Sequence, residues 1–282
     1  MHCSGDVVMT FVRQTPLMIV ASLALSLLPS VTMADTKSLS GRQIMDEVEA
    51  RHDKPFEFEI QKMTLVDKSG KKEVRDVRRF TREKDKSQTR YLTIFRSPSG
   101  IKGTAMLTWQ NDSKADDQWL YLPAQGKKLK RIAKGGKRNY FMGTDYTYED
   151  LVSEAKEKFS YDRQADEKLN GESAFVVKAM AKDKQLKKDT GYKYRLLWVG
   201  QKHFNIIRTD YFNRRGKLIK RQTTDKWVNV EGKAWRANLS TMEHLKNKHK
   251  TITEVVERSL KEADAPSKNF RKKTITSGKL AR

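Results

Sequence analysis

Cysteine is almost absent from this sequence. The one cysteine among the 282 residues is Cys3, so no disulfide framework of the kind that small secreted domains need can form. No cysteine follows the apolar run at residues 16–28, which excludes lipidation at an N-terminus created beyond that run. A catalytic thiol and a soft metal ligand are excluded there as well.

Long apolar runs are also scarce. The uncharged run "PLMIVASLALSLL" at residues 16–28 is too short to span a bilayer comfortably. Arg13 precedes it, and Thr32 and Ala34 are small residues spaced as a signal peptidase requires. We interpret residues 1–34 as a secretory signal that is cleaved after Ala34. The alternative is a buried N-terminal core helix.

The residue patterns of common catalytic sites are missing. The histidines after the apolar run are His52, His203, His244 and His249. No two of them have the one-turn spacing of a zinc-binding helix. There is no Gly-x-Ser-x-Gly elbow, and "KGGKRN" lacks the spacing of a phosphate loop. We therefore expect no catalytic residue, no metal site and no cofactor. An enzyme acting on lipid or polysaccharide is kept as an alternative.

Acidic residues are strongly outnumbered, and the formal net charge is +23. An excess of this size usually suggests a nucleic-acid partner, but export from the cytoplasm argues against one. The polyanions outside the cytoplasm are phospholipid headgroups, lipopolysaccharide phosphates and acidic proteins. A general basic character is the alternative, because lysine and arginine are spread along the whole chain. A thiol-free, exported bacterial protein is expected to be soluble and periplasmic.

Alternating apolar residues and glycine-containing turns dominate the rest of the chain. About eleven strand-like segments can be counted in this way. In "FEFEIQKMTLV" the apolar positions Phe56, Phe58 and Ile60 shift phase before Met63 and Leu65 continue the apolar row. This slip predicts a β-bulge.

Helices are expected at two places. "SGRQIMDEVEARH" begins with the capping box Ser40-x-x-Gln43, and "TYEDLVSEAKEKF" has Thr147 as its N-cap and Asp150 three residues later. Because strands outnumber helices and no βαβ alternation is present, we predict one curved antiparallel sheet with the helices in its concave face. No repeat of fixed period supports a propeller.

Large apolar and aromatic residues are concentrated between Tyr91 and Tyr148. An apolar sheet face larger than a few helices can cover is typical of a ligand groove or a partner site. The alternative is that Trp109, Trp119 and Tyr121 fill an ordinary core.

Four segments in this region and beyond carry a family resemblance. They are "SPSGIKGTAMLTW", "DDQWLYLPAQGKKLKRI", "FMGTDYTYEDL" and "YFNRRGKLIK". In this order and spacing the chain resembles the outer-membrane lipoprotein-sorting family related to the LolA and LolB carriers, from Gly41 to about Val256. Two features depart from the family: the C-terminus "KNFRKKTITSGKLAR", and a lid-locking arginine that cannot be assigned.

The resemblance implies a mainly β fold with few helices: a single curved antiparallel sheet, or half-open β-barrel, with a helical lid over a hydrophobic cavity. One such domain would span residues 35–282 and end in a basic tail. The implied function is a soluble periplasmic carrier for the acyl chains of lipids or lipoproteins, often associated with an inner-membrane exporter of the resistance-nodulation-division (RND) type. A periplasmic sensor or adaptor that binds a regulatory or transporter protein is the alternative.

Two sets of site residues follow from this interpretation. We predict that Trp109, Trp119, Tyr121 and Met106 line the ligand cavity, although strand alternation sends Met106 and Trp109 to opposite faces. We predict docking on an anionic membrane surface or a transporter by a cluster of bases, which are Lys127, Lys128, Lys130, Arg131, Lys134, Lys137 and Arg138.

Overall fold

The computed structural model describes residues 39–126, 128–133 and 135–281. The predicted secretory signal at residues 1–34 and two predicted docking residues, Lys127 and Lys134, lie outside the described residues. Among the described helices, none combines the length and the apolar character needed to cross a bilayer.

One antiparallel sheet contains the described strands and stays open. The strands are β1 (Phe56–Val66), β2 (Lys72–Asp85), β3 (Gln88–Phe95), β4 (Ala105–Asn111), β5 (Asp117–Tyr121), β6 (Leu129–Arg131), β7 (Phe159–Arg163), β8 (Glu167–Leu169), β9 (Glu172–Ala181), β10 (Tyr192–Gly200), β11 (Ile206–Asn213), β12 (Leu218–Glu231), β13 (Ala234–His244) and β14 (His249–Ser259). The helices are α1 (Gly41–His52), α2 (Lys184–Thr190) and α3 (Lys272–Thr276). The predicted sheet with few helices is confirmed.

Strand order follows the chain almost throughout. It runs β6-β5-β4-β3-β2-β1-β14-β13-β12-β11-β10-β9-β7, with β8 paired to β9. Strands β1 to β5 and β9 to β14 coincide with the eleven predicted segments. The strands β6, β7 and β8, which were not predicted, are three to five residues long. Strand β5 is as short as β7, but its large apolar residues made it recognisable.

Strand pairing defines two faces of the sheet. Glu59 pairs with Arg79, Arg79 with Thr93, and Thr93 with Met106. Because directly paired residues point to the same side, these four residues share one side, which is called the inner face below. The neighbouring positions, such as Phe80 and Leu107, belong to the outer face.

The predicted irregularity near Ile60 is present, but the extra residue is in the partner strand. Ile60 pairs with Glu257 and Gln61 with Val255, which leaves Val256 of β14 unpaired and 67% exposed. Strand β1 keeps a regular register with β2. Met63 therefore lies on the inner face and does not continue the outer-face row of Phe58, so that part of the prediction is wrong.

Helix α1 begins as predicted. The Ser40 hydroxyl accepts a hydrogen bond from the Gln43 backbone N–H, and the Gln43 side chain accepts one from the Ser40 N–H at 2.9 Å. Ile44 and Met45 pack on Phe159 and Tyr161 of β7. The capping box thus fixes where the helix starts, and these apolar contacts hold it over the inner face.

The predicted helix at Thr147 is wrong. The segment forms only two single 3₁₀ turns, Glu149–Leu151 and Lys156–Lys158. The Leu151 carbonyl accepts a hydrogen bond from Arg79, and the Ser153 carbonyl accepts one from the Gln110 side chain at 2.6 Å. Sheet side chains have taken the carbonyls that an α-helix would use, so the chain stays extended.

The basic C-terminal tail returns to the sheet. Phe270 and Ile275 are buried against the outer face of β3 to β5. The Thr276 carbonyl accepts a hydrogen bond from the Tyr121 hydroxyl. This part of the chain therefore covers apolar area that no helix of the inner face can reach.

Candidate functional site: the inner-face cavity

The main cavity lies on the inner face of the sheet. Its volume is about 710 Å³, within the roughly 300 to 1,000 Å³ typical of small-molecule sites. Strands β1 to β4 and β10 to β14 supply its floor, while α1 and residues 150–157 supply its cover. Helix α1 and this covering segment correspond to the predicted lid.

The floor of the cavity is strongly charged. The Arg258 guanidinium donates to Glu59 at 2.8 Å, and the Arg236 guanidinium donates to Glu57 at 3.0 Å. Arg79 lies 3.8 Å from the second Glu59 oxygen. Because each of these partly buried charges faces an opposite charge, ion pairing offsets part of the cost of removing them from water.

Apolar side chains occupy other parts of the wall. They are contributed by the lid and by the strands under it, and they include Met45, Val48, Leu151, Leu197 and Ile206. The predicted hydrophobic cavity therefore needs correction: the lining is mixed, with a charged floor and apolar walls. A ligand that fits such a lining has both an apolar and a polar part.

The lid helix is tied to the covering segment by ion pairs. Lys156 binds Asp46 and Glu49 of α1. On the same segment, Glu154 pairs with the buried Arg195 of β10. These contacts connect the two parts of the cover to each other and to the floor.

A buried lysine anchors the start of the covering segment. Lys220 of β12 has no exposed surface, and its ammonium pairs with Asp150, whose side chain is 1% exposed. Asp150 also accepts hydrogen bonds from the Thr147 N–H at 2.6 Å and the Tyr192 hydroxyl at 3.0 Å. Burial lowers the pKa of Lys220, and the Asp150 carboxylate opposes that shift. The pair ties the covering segment to the sheet.

Aromatic rings surround the same ammonium. The Lys220 Nζ lies 4.8 Å from the ring centre of Tyr211, 5.2 Å from Tyr192 and 5.8 Å from Tyr140. Cation–π attraction strengthens when the cation is desolvated. This site could not be predicted from the sequence, because a lysine in a strand gives no sign of its distant partners.

The predicted cavity residues lie elsewhere. Trp109, Trp119 and Tyr121 are on the outer face under the C-terminal tail. Met106 is on the inner face, but it packs in the cluster around Phe141. None of the four is among the residues that line the cavity. The predicted separation of Met106 from Trp109 by strand alternation is confirmed.

The predicted docking bases have different environments. Lys128, Lys130 and Arg131 are exposed at the end strand β6, although Arg131 pairs with Asp117. The Lys137 side chain is only 12% exposed and binds Asp116 at 2.8 Å. Lys137 is therefore an internal ion-pair residue, and Arg138, which is exposed, lines a separate cleft.

The charged floor had a signal in the sequence. In "FEFEI" the acids Glu57 and Glu59 alternate with Phe56, Phe58 and Ile60. Alternation assigns the two sets to opposite faces without showing which set faces the cavity. Acids of a central strand that face away from the apolar row can instead mark a polar cavity.

Known proteins with this architecture are similar over most of the chain. A family model described as an uncharacterized protein matches residues 87–277. An outer membrane lipoprotein-sorting protein domain from Vibrio parahaemolyticus is 30% identical, with 84% of this chain and 98% of that domain covered and a TM-score of 0.78. This chain belongs to the LolA-like outer-membrane lipoprotein-sorting family.

Two further structures share the family fold. A DUF1329 family protein from Desulfovibrio piger is 20% identical, with 82% of this chain and 98% of that one covered and a TM-score of 0.73. A LolA superfamily protein from Nitrosomonas europaea is 17% identical, with 83% and 98% covered and a TM-score of 0.63. No curated protein matches the sequence. The fold of this LolA-like chain is therefore that of lipoprotein-sorting proteins.

The lid helix ends at a histidine whose neutral form is needed. The His52 Nδ1 accepts a hydrogen bond from the Trp235 N–H at 3.1 Å, and Nε2 contacts the His203 carbonyl at 2.9 Å. Burial lowers the pKa of His52. Below the ordinary histidine pKa of about 6.5, the unfolded chain therefore takes up a proton at His52 more readily than the folded chain does.

Stability is expected to fall as the pH decreases through this range. Between about pH 7 and pH 5, the thermal midpoint of the wild type should drop more than that of His52→Asn, whose amide does not titrate. Calorimetry at several pH values measures both. Parallel pH profiles for the two proteins would show that His52 does not link the lid to pH.

Proposed function

We propose that this LolA-like chain is a soluble periplasmic carrier that holds the acyl chain of a lipid or a lipoprotein in its inner-face cavity. The observation that supports this most strongly is the covered cavity of about 710 Å³ in an open sheet of the lipoprotein-sorting family. The secretory signal at residues 1–34 and the mature domain at residues 35–282 are part of the same proposal.

The mixed lining suits an amphiphile. Each buried methylene of an acyl chain contributes about 0.8 kcal/mol, and the apolar walls around Val48 and Leu197 can supply that contact. The charged floor around Glu59 and Arg258 suits a polar headgroup or the backbone next to an acyl group. A ligand of this kind matches both surfaces at once.

Delivery requires a donor and a membrane. We propose an inner-membrane exporter of the RND type as the donor, with the exposed bases Lys128, Lys130 and Arg131 facing an anionic surface. Each such base contributes roughly 1 kcal/mol near an anionic leaflet. The cavity then sets affinity, while the basic loop sets docking and association rate.

Filling the cavity tests the carrier function. Thr81 lines the cavity from β2 and pairs with Tyr91 and Glu57 across the inner face. Thr81→Trp should weaken binding of a fluorescent fatty-acyl probe about tenfold or more, because the indole occupies the space of the chain. Fluorescence titration measures the affinity, and lipid that co-purifies from the periplasm can be identified by mass spectrometry.

Thr81→Val is the matched control. It keeps the size of the side chain and should retain the affinity of the wild type. A wild-type protein that binds no acyl probe and co-purifies with no lipid would contradict the carrier function. The adaptor alternative would then be favoured.

A further inference from the structure

A second cleft, of about 280 Å³, lies beside the buried Lys220 cluster. Two of the segments that carry the family resemblance, "FMGTDYTYEDL" and "YFNRRGKLIK", contribute to its lining. Arg138, Arg214 and Arg215 line it, and all three are exposed. Neither the charged floor nor the lid of the cavity uses these arginines.

The three guanidinium groups have no carboxylate partner in the part of the chain that the structure describes. Many other arginines of this chain are paired, as Arg258 is with Glu59. Three unpaired guanidiniums around one small cleft repel one another unless an anion joins them. The cleft is therefore suited to bind a negative group.

The walls of the cleft are partly apolar and partly hydroxylic. Tyr140 is 42% exposed, an unusual degree for a large aromatic residue of this chain. Tyr192 and Ile219 continue the apolar wall, while the buried Thr147 and Thr190 lie among the lining residues. Such a wall can contact the carbon skeleton to which an anionic group is attached.

The backbone holds both sides of the cleft in place. The Asn213 side chain accepts hydrogen bonds from the N–H groups of Arg215 and Lys217, each at 3.0 Å. Gly191 has a φ of +79°, and a Cβ there would lie 3.1 Å from the Cβ of Arg138. The turn at Asn213 and the close contact between Gly191 and Arg138 therefore fix the backbone positions of the arginines before a ligand binds.

We propose that this arginine cleft binds the phosphate monoester of an anionic lipid headgroup. A phosphate monoester carries a charge of about −1.5 to −2 at pH 7. A guanidinium group can donate two parallel hydrogen bonds to the oxygens of one phosphate. The compact shape of the cleft favours one small dianion over an extended acidic peptide. Phosphate binding is independent of the cavity, whereas a lipid as its source rests on the proposed carrier function.

Vesicle binding tests this site. Phosphatidylcholine vesicles with phosphatidic acid, a monoester, are compared by co-sedimentation with vesicles of equal surface charge that contain phosphatidylglycerol, a diester. The wild type should prefer phosphatidic acid. Arg138→Gln/Arg214→Gln/Arg215→Gln should lose that preference, with affinity reduced about tenfold or more. Inorganic phosphate should compete with the wild type at the cleft.

Two controls separate the site from general charge attraction. Lys128→Gln/Lys130→Gln removes two exposed bases at and next to β6 and should weaken binding to both kinds of vesicle alike while keeping the preference. Arg214→Lys/Arg215→Lys keeps the charge but loses the planar fork, and should retain only part of the preference. Thr81→Trp should bind phosphatidic acid as the wild type does, even though its cavity is filled.

Three outcomes would overturn the proposal. One is equal binding of both vesicles by the wild type at equal surface charge. Another is an unchanged preference in the triple arginine variant. The third is displacement by an acidic peptide at lower concentration than by inorganic phosphate, which would assign the cleft to a protein partner. A wild-type protein that binds no acyl probe but still prefers phosphatidic acid would contradict only the carrier function.

Discussion

Replacing Lys220 with methionine is expected to lower the free energy of unfolding by about 3 to 5 kcal/mol. The change leaves the Asp150 carboxylate buried, with a side chain 1% exposed, and without its cation. Hydrogen bonds from Thr147 and Tyr192 remain, but they cannot neutralise a full charge. Denaturant unfolding followed by fluorescence measures the loss.

A double variant identifies the cause. Lys220→Met/Asp150→Asn removes the charge as well as its partner, so it should recover part of the stability lost in Lys220→Met. Lys250→Met is the matched control, because its pair with Glu243 is partly exposed and should contribute less than about 1 kcal/mol. A loss of that small size in Lys220→Met would mean that the buried pair does not hold the covering segment.

The second large effect is expected at Trp119. Trp119→Ala should destabilise the protein by about 3 to 5 kcal/mol, since the side chain is 7% exposed and packs between Trp109 and the C-terminal tail. The Lys272 Nζ lies 3.8 Å from the Trp119 ring, so the tail should loosen as well. Affinity for the acyl probe should change little, because the ring is on the face opposite the cavity.

Trp119→Phe is the control for this prediction. It keeps an aromatic ring against Trp109 and should lose less stability than the alanine variant does. A Trp119→Ala protein that stays stable but loses the acyl probe would contradict the placement of the ligand in the inner-face cavity. The original prediction of Trp109, Trp119 and Tyr121 as cavity residues would then be supported.

Local chemistry made several features predictable. The capping box at Ser40 is complete within four residues of sequence, and the longer strands are recognisable from the alternation of apolar and polar residues. An irregularity near Ile60 is present where β1 pairs with β14, but β1 itself is regular, so its apolar phase shift marks apolar residues on both faces. The extra residue was placed in the wrong strand because the pairing of β1 with β14 joins distant parts of the chain.

The helix predicted at Thr147 shows where local signals fail. The acidic third position acts as predicted, since the Thr147 N–H donates a hydrogen bond to Asp150, but no side chain caps the 3₁₀ turn that follows. The sheet side chains Arg79 and Gln110, however, take the carbonyls beyond it. These residues are far away in sequence, so propensity alone could not reveal the competition.

Alternation, capping and motif order are carried by neighbouring residues, and they were sufficient to predict the β architecture, the lid helix and the family. Which face of the sheet became the cavity depends on long-range packing. Alternation divides a strand into two faces without saying which one is covered, and the choice depends on where the C-terminal tail packs. The same is true of two other features, because each joins residues that are distant in sequence. Lys220 pairs with Asp150, 70 residues away, and Arg138 lines the same cleft as Arg214 and Arg215.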